Sequence, residues 1–301
     1  MRLMEAVDQF SKESGRLHTD SSRKSFRKVM VHLHRYAGDG CELEEIDQAL
    51  LTDWCLSNTP APSTVKKRRG HARSFFGWCC YKGWIEADPA SALGYSVQPG
   101  RGSVRTHTWL SKAELVELLR AMPNTEAGER DRLIILLGSL CGLRAEEICN
   151  LRWKDFSADW STLTLVGKGN KPAQIGVPAE LRAALKEWHT RRPMGATAVL
   201  PRMRYIFNPG VGKRVRVCHW DHPLQYDGIL YAVKAAGKLV GIELRPHDLR
   251  RTFAGILEES GVPVTDIQRA MRHSDVGTTS RYLEKDPRRT IGVTEGLTLG
   301  L

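Results

Sequence analysis

The chain has 301 residues, 41% hydrophobic and 26% charged, which is enough for two domains that each bury a core. Its 45 Lys and Arg against 34 Asp and Glu leave a formal charge of +11, favouring nucleic acid or an acidic membrane surface as partner. No apolar run of roughly eighteen residues and no signal-peptide pattern at the N-terminus occurs, which argues against a membrane role.

Residues 1–95 read as a helical unit. Phe26, Met30, Leu33 and Ala37 share one helix face behind the capping-type residues Thr19, Asp20 and Ser21, and the other side carries Arg23, Lys24, Arg27 and Lys28. A second helix runs over 47–56 and stops at Asn58-Thr-Pro-Ala-Pro62. In the third, Val65, Ala72, Phe75 and Phe76 can face a core while Lys66, Lys67, Arg69 and Arg73 face out. No acidic residue lies between Asp53 and Glu86. A one-sign face of that length suits a phosphate backbone, so Arg23, Arg27, Lys66, Lys67, Arg69 and Arg73 are expected to contact DNA. The alternative is a solvated basic helix.

Residues 96–108, rich in Gly, Ser and Thr and without apolar period, form a linker. Residues 109–290 make a second domain that opens with the capping box Ser111-Lys-Ala-Glu114. An apolar helix over 133–140 ends at Gly142. Arg144 starts the next helix, through Leu151, and is expected to be partly buried with Glu147 one turn on holding its fork. Two strands, 162–166 and 174–177, flank the hairpin turn Gly167-Lys168-Gly169-Asn170-Lys171. Further helices are expected at 179–189, 227–239, 247–260 and 264–272. Residues 189–220 hold seven Lys and Arg, among them Arg202, Arg204, Lys213, Arg214 and Arg216, and no acid, and are expected to line a DNA channel. The tail, 291–301, is apolar and glycine-bearing.

The seven cysteines are odd in number and contain no Cys-x-x-Cys pair, which suits a reduced intracellular compartment and speaks against a disulfide framework or zinc site. Cys141 and Cys149, flanking Arg144, read as core packing.

One ordered set carries chemistry: Arg144, then His247-Asp-Leu-Arg250, His273 and Tyr282. Two guanidinium forks match the free oxygens of a phosphodiester, a histidine beside each can bond the phosphate or move a proton, and a tyrosine supplies an oxygen nucleophile without a metal. The i, i+3 spacing puts His247 and Arg250 on one helix face, near the favourable end of the helix dipole. Singly, each has an ordinary alternative: a surface ion pair for Arg144, a solvated lysine at Lys168, surface polar residues for His247 and Arg250, a packing residue for Tyr282. Together they point to cutting and rejoining DNA through a phosphotyrosine bond. No Walker-type loop and no paired-carboxylate spacing occurs.

The stretches Gly142-Leu-Arg-Ala-Glu-Glu147, Val166-Gly-Lys-Gly-Asn-Lys171, Pro246-His-Asp-Leu-Arg-Arg-Thr-Phe-Ala254 and Arg272-His-Ser-Asp-Val-Gly-Thr-Thr-Ser-Arg-Tyr282 resemble the tyrosine recombinases of the phage-integrase family. The likeness extends to Thr64–Pro89, similar to the family's core-binding domain. It implies a mainly α fold with a small β-sheet: a helical, SAM-like core-binding domain followed by an α+β catalytic domain. It implies Tyr282 as nucleophile, Arg144 and Arg250 as phosphate grips aided by His247 and His273, Lys168 as acid for the leaving oxygen, and Glu147 in support of Arg144, with Lys171 and Arg251 against DNA. No metal or cofactor is implied, since the phosphotyrosine conserves the energy of the broken bond. The implied partners are duplex DNA with specific core sites and a homotetramer on synapsed sites, in the cytoplasm with the nucleoid, the tail docking on a neighbouring subunit or on its own domain. Integration or excision of a phage or mobile element is the expected activity, Xer-type chromosome-dimer resolution or a type IB topoisomerase-like relaxation the same-chemistry alternative, and a non-catalytic DNA-binding regulator the remote one. The chain begins almost at the core-binding helices, without room for an arm-binding domain. It departs from many relatives in having Met271-Arg272 where they have Leu-Gly, and Pro172-Ala-Gln where a charged pair commonly follows the lysine.

Overall fold

Four helices, each with one apolar face, close the N-terminal core: α1 (Leu3–Glu13), α2 (Asp20–Ala37), α3 (Gln48–Leu56) and α4 (Pro62–Tyr81), followed by the single turn α5 (Leu93–Ser96). The computed structural model describes residues 1–98, 109–166 and 172–272. Contacts divide the chain into two compact units, Met1–Arg105 and Thr106–Leu301. In the first, Thr19 caps α2 by accepting from the Ser22 amide at 3.1 Å, and Asp47 caps α3 by accepting from the Leu50 amide at 2.7 Å. Phe10 meets Phe26 and Phe75 at ring-centroid distances of 4.7 and 5.6 Å, so three helices share one aromatic centre.

The basic residues of this unit divide by what they touch. Lys66, Lys67 and Arg73 are exposed, as expected. Arg69 is not: it is partly buried and donates to the Val97 carbonyl at 2.9 Å, because α4 turns that flank toward the chain after α5. Arg68 is buried and donates to the Trp54, Cys55 and Ser57 carbonyls at 2.8, 3.3 and 3.1 Å, closing the end of α3 where no glycine cap exists. On α2, Arg23 pairs with Asp20 at 3.3 Å and Arg27 with Asp8, so part of that basic face is neutralised by acids its own helix and α1 supply.

The second unit is built around α7 (Glu126–Leu140), preceded by α6 (Lys112–Ala121) with its Ser111–Glu114 capping box. Every residue of α7 from Leu133 to Ser139 is buried, the mark of a helix surrounded on all sides. Around it lie α8 (Ala145–Asn150), the antiparallel pair β1 (Thr162–Val166) and β2 (Pro172–Gly176), α9 (Ala179–Thr190), the antiparallel pair β3 (Pro201–Asn208) and β4 (Lys213–Pro223), α10 (Tyr226–Leu239), α11 (Pro246–Glu259) and α12 (Val264–Ala270). Gly138 lets α11 approach closely, since a Cβ there would sit 2.8 Å from that of Leu249.

The second hairpin adds a further two-stranded sheet, mostly within 189–220, to the mainly helical fold expected. Its signal was the alternation Arg214-Val-Arg-Val217 after the Asn208-Pro-Gly-Val-Gly212 turn. The stretch is not uniformly open to DNA. Arg216 pairs with Asp131 at 3.1 Å, Arg191 with Glu129 at 2.9 Å, and Arg192 with His189 at 2.7 Å. Asp131 is buried against Arg130, which also donates to the Pro201 carbonyl at 3.3 Å, so the base of the hairpin is pinned to α7 by a charge cluster. Arg202, Arg204, Lys213 and Arg214 remain exposed.

Arg68→Ala is expected to lower the free energy of unfolding by about 2–4 kcal/mol, the range for stripping a buried charged donor from its acceptors. Lys66→Ala, on the exposed side of the same helix, is expected to cost no more than about 0.5 kcal/mol. Urea unfolding of the two full-length variants measures the contrast; equal costs would contradict the role of Arg68 as a helix-end cap.

Candidate active site

The site begins where α7 hands over to α8. Gly142 takes φ +59°, and a Cβ there would lie 2.4 Å from the Phe253 ring, so only glycine makes this turn without displacing α11. Arg144 then stands extended at the start of α8, its amide donating to Glu147 Oε2 at 2.8 Å. Its guanidinium Nη1 meets Glu147 Oε1 at 2.9 Å, so one carboxylate caps the helix and orients the arginine. Contrary to expectation Arg144 is exposed, its side chain 46% accessible, because α8 starts at the surface of the turn.

Arg250 is the opposite. It lies on the inner side of α11 and is 1% accessible, with Nη1 on the Gly142 carbonyl and Nη2 on the Met271 carbonyl. Pro246 opens α11, Asp248 caps it by accepting from the Arg245 amide at 2.9 Å, and the other Asp248 oxygen receives Arg251 at 2.8 Å. Arg251, expected against DNA, is thus half-buried in an ion pair. His247 sits on the solvent side of the same turn. Surrounding protein penalises its charged form first, Arg251 and Arg250 repel it further, and Arg144 adds to that, with Asp248 opposing; its pKa lies below the ordinary histidine value.

Arg272 belongs to this cluster as well. Its Nη2 bonds Glu147 Oε2 at 2.7 Å and the Gly142 carbonyl at 3.3 Å, while its own carbonyl accepts from Arg144 Nη2 at 3.5 Å. Sequence reasoning passed over it, although the exchange of an expected glycine for arginine just before His273 was its signal. Arg144, Glu147, His247 and Arg250, four of the expected site residues, are therefore brought together with Arg272 from three separate segments. Lys168, Lys171, His273 and Tyr282 lie outside the described residues, as do 291–301.

The neighbouring thiols are inert. Burial pushes Cys141 up to about 12 and Cys149 up to about 11, so neither offers a thiolate beside Arg144. All seven cysteines are unpaired. Among the described residues no helix is long and apolar enough to cross a membrane, and no group of three or more His, Cys, Asp or Glu side chains is arranged for a metal ion.

The model of the phage integrase family matches residues 108–289. The chain is similar to tyrosine recombinase XerC of Xanthomonas axonopodis pv. citri (strain 306), 29% identical over 74% of this chain and 68% of the relative. XerC of Xanthomonas campestris pv. campestris (strain B100) is 28% identical over 75% of this chain but 65% of the relative, a little under two thirds of its length. Among solved structures, a lambda integrase dimer bound to a COC′ core site covers 96% of this chain and 78% of its own with a TM-score of 0.69 at 16% identity. The Tn1549 transposon integrase with circular intermediate DNA covers 99% of this chain and 100% of its own, TM-score 0.68 at 18% identity. Fold and sequence define the class, a DNA recombinase. More narrowly, the chain belongs to the phage integrase family of tyrosine recombinases.

A depressed His247 pKa has a signed consequence. The unfolded chain takes up this proton as the pH falls through about 6.5, and the folded chain does so only at lower pH. The stability His247 confers is complete above about 6.5 and is lost as the pH falls below it. In an NMR titration the His247 ring is expected to titrate below about 6.5 in the free protein and higher once duplex DNA brings a phosphate beside it. A free-protein value above the ordinary one would contradict the cationic surroundings of this ring.

Proposed function

We propose that this protein is a site-specific recombinase that integrates or excises a phage or mobile element, cutting and rejoining duplex DNA through Tyr282. The observation that carries the reading is the convergence of Arg144 and Arg250 on residues 271 and 272, immediately before His273. Two cationic forks and a neutral imidazole there meet the needs of a phosphoryl transfer whose charge grows in the transition state.

In the proposed reaction the Tyr282 hydroxyl oxygen attacks the scissile phosphorus and the bond to the 5′ oxygen breaks. His247, neutral at physiological pH, can take the proton the tyrosine loses, and Lys168 gives one to the leaving 5′ oxygen. Arg144, Arg250 and His273 stabilise the phosphorane, and Glu147 keeps Arg144 in register. The 3′ end is then joined to Tyr282, and the free 5′ hydroxyl of the partner strand reverses the step, so no external energy source enters. Residues 1–95 serve as core-binding domain and 109–290 as catalytic domain, joined by 96–108. Four protomers synapse two sites and pass through a Holliday junction, with the tail at 291–301 linking neighbours. Exposed Lys66, Lys67, Arg73, Arg202, Arg204, Lys213 and Arg214 are the cations offered to the phosphate backbone.

A second reading, Xer-type resolution of chromosome dimers, uses the same chemistry and is favoured by the identity to XerC sequences. The DNA neighbourhood of the gene separates the two, since an attachment-like repeat beside it speaks for integration.

Tyr282→Phe is expected to bind target DNA normally yet form no covalent adduct on a nicked suicide substrate, and Arg144→Ala to cleave at least about a hundredfold more slowly. An adduct in the Tyr282→Phe variant would remove the nucleophile from the scheme, and relaxation of supercoiled DNA by unsynapsed monomers would favour a topoisomerase. Binding is also expected to weaken steeply with salt, and Arg202→Ala/Arg204→Ala to reduce the log–log slope by about 0.9 for each phosphate no longer neutralised. An unchanged slope in a binding titration from low to moderate salt would take the hairpin off the DNA.

A further inference from the structure

Arg272 stands where the backbone favours glycine, at φ +54°, and holds that conformation with a side chain only 15% accessible. The side chain is anchored at both ends of the site. Glu147, the carboxylate that orients Arg144, receives it at 2.7 Å, and the Gly142 carbonyl, which receives Arg250, accepts from it at 3.3 Å. The main chain completes the circuit, since the Met271 and Arg272 carbonyls accept from Arg250 and Arg144 respectively. Glu147, the Gly142 carbonyl and the backbone of residues 271 and 272 thus hold the two gripping arginines, and Arg272 ties all of them together.

We propose that Arg272 is a positioning residue of the recombinase centre: it fixes Glu147 and the Gly142 carbonyl, and so holds the Arg144 and Arg250 guanidiniums in the geometry that receives the phosphate. The proposal rests on the recombinase reading above and adds to it a residue to which that reading gives no role. The charge arithmetic explains why the position matters. Glu147 is bonded to both Arg144 and Arg272. With Arg272 in place, each carboxylate oxygen carries a guanidinium of its own. Without it, Oε2 keeps only the Arg144 amide, and Glu147 loses the second cation that fixes the carboxylate on which the Arg144 fork rests. Burial lowers the pKa of the Arg272 guanidinium and Glu147 opposes that fall, so the ion pair is what keeps this cation in place.

Single-turnover cleavage of a nicked suicide substrate by the full chain, with DNA affinity measured in parallel, tests this. Arg272→Gly relieves the left-handed backbone while losing the Glu147 ion pair, so it is expected to remain folded and to bind DNA within about threefold, while cleavage at saturating DNA falls at least about tenfold, as for a misplaced reacting group. Arg272→Lys, whose shorter and non-planar ammonium must replace the two bonds that Nη2 makes, is expected to fall between the two. Cleavage by Arg272→Gly within about twofold of the parent would overturn the proposal, as would a loss of affinity matching the loss of rate. If Arg272→Gly does not fold, parental cleavage by Arg272→Lys overturns it equally. Tyr282→Phe, run beside them, separates the two claims: a parent that forms no Tyr282 adduct ends the recombinase reading and this proposal with it, whereas a normal parental adduct with a fully active Arg272→Gly ends this proposal alone.

Discussion

A guanidinium taken out of water must find oxygen acceptors, and around Gly142 that requirement falls on Arg250. It is 1% accessible and is held by the carbonyls of Gly142 and Met271, residues more than a hundred positions apart in the chain. Removing one side of such an arrangement costs about 3–5 kcal/mol, since the remaining charge or carbonyl stays buried. The turn at Gly142 and the end of α12 are therefore not free to move independently of α11. This is why Arg144, which leaves that turn, and the segment leading to His273 arrive at the same place.

The tie works only because the backbone can present its carbonyls there. Gly142 must take a left-handed conformation with Phe253 at contact distance, and Gly138 must let Leu249 close on α7. Thr252 adds a further tie across the same helix, receiving the Leu110 amide at 2.9 Å and donating to the Asp248 carbonyl at 3.0 Å. Packing of α11 on α7 and placement of the cations are thus one structural event. A substitution in the apolar contact would move the guanidiniums as surely as one in the polar contact.

How much of this was legible in the sequence depended on whether a local pattern or a tertiary contact decided the matter. Capping residues at Thr19 and Ser111 and apolar periods in α2 and α4 are local and mark those helices nearly to their ends, whereas the apolar run 133–140 marks only the second half of α7, which starts at Glu126. The pairing of Arg144 with Glu147 is also local, one helical turn. Exposure of individual cations was not. Arg68 and Arg69 look like their neighbours Lys66 and Lys67, and only the course of the chain through α3 and after α5 turns them inward. The acid-free stretch 189–220 meets Glu129 and Asp131 from α7 across the fold, so a sequence without carboxylates still becomes partly neutralised. Arg272 was hidden for the same reason, because its two partners lie 125 and 130 residues away.

The same tertiary neutralisation sharpens the contrast at the site. Elsewhere in the second unit several buried and half-buried arginines are matched by acids, Arg130 and Arg216 by Asp131 and Arg251 by Asp248, while Arg132 and Arg192 rest on carbonyls and on His189. Around Gly142 the ratio inverts, with Arg144, Arg250 and Arg272 gathered about Glu147 and neutral carbonyls. A fold that pairs such charges in one region and gathers an excess of cations in another has concentrated unfavourable self-energy there. His247 registers it in part, since burial first and then the neighbouring guanidiniums resist a second proton on its ring. An anion entering that position relieves the repulsion in addition to making its own bonds, and by linkage it stabilises the folded chain as it binds. The effect is larger for a group whose negative charge increases along the reaction than for one whose charge is constant. On the proposed reading, an arrangement of this kind would bind a phosphodiester and bind its pentavalent form better, which is the difference that catalysis requires.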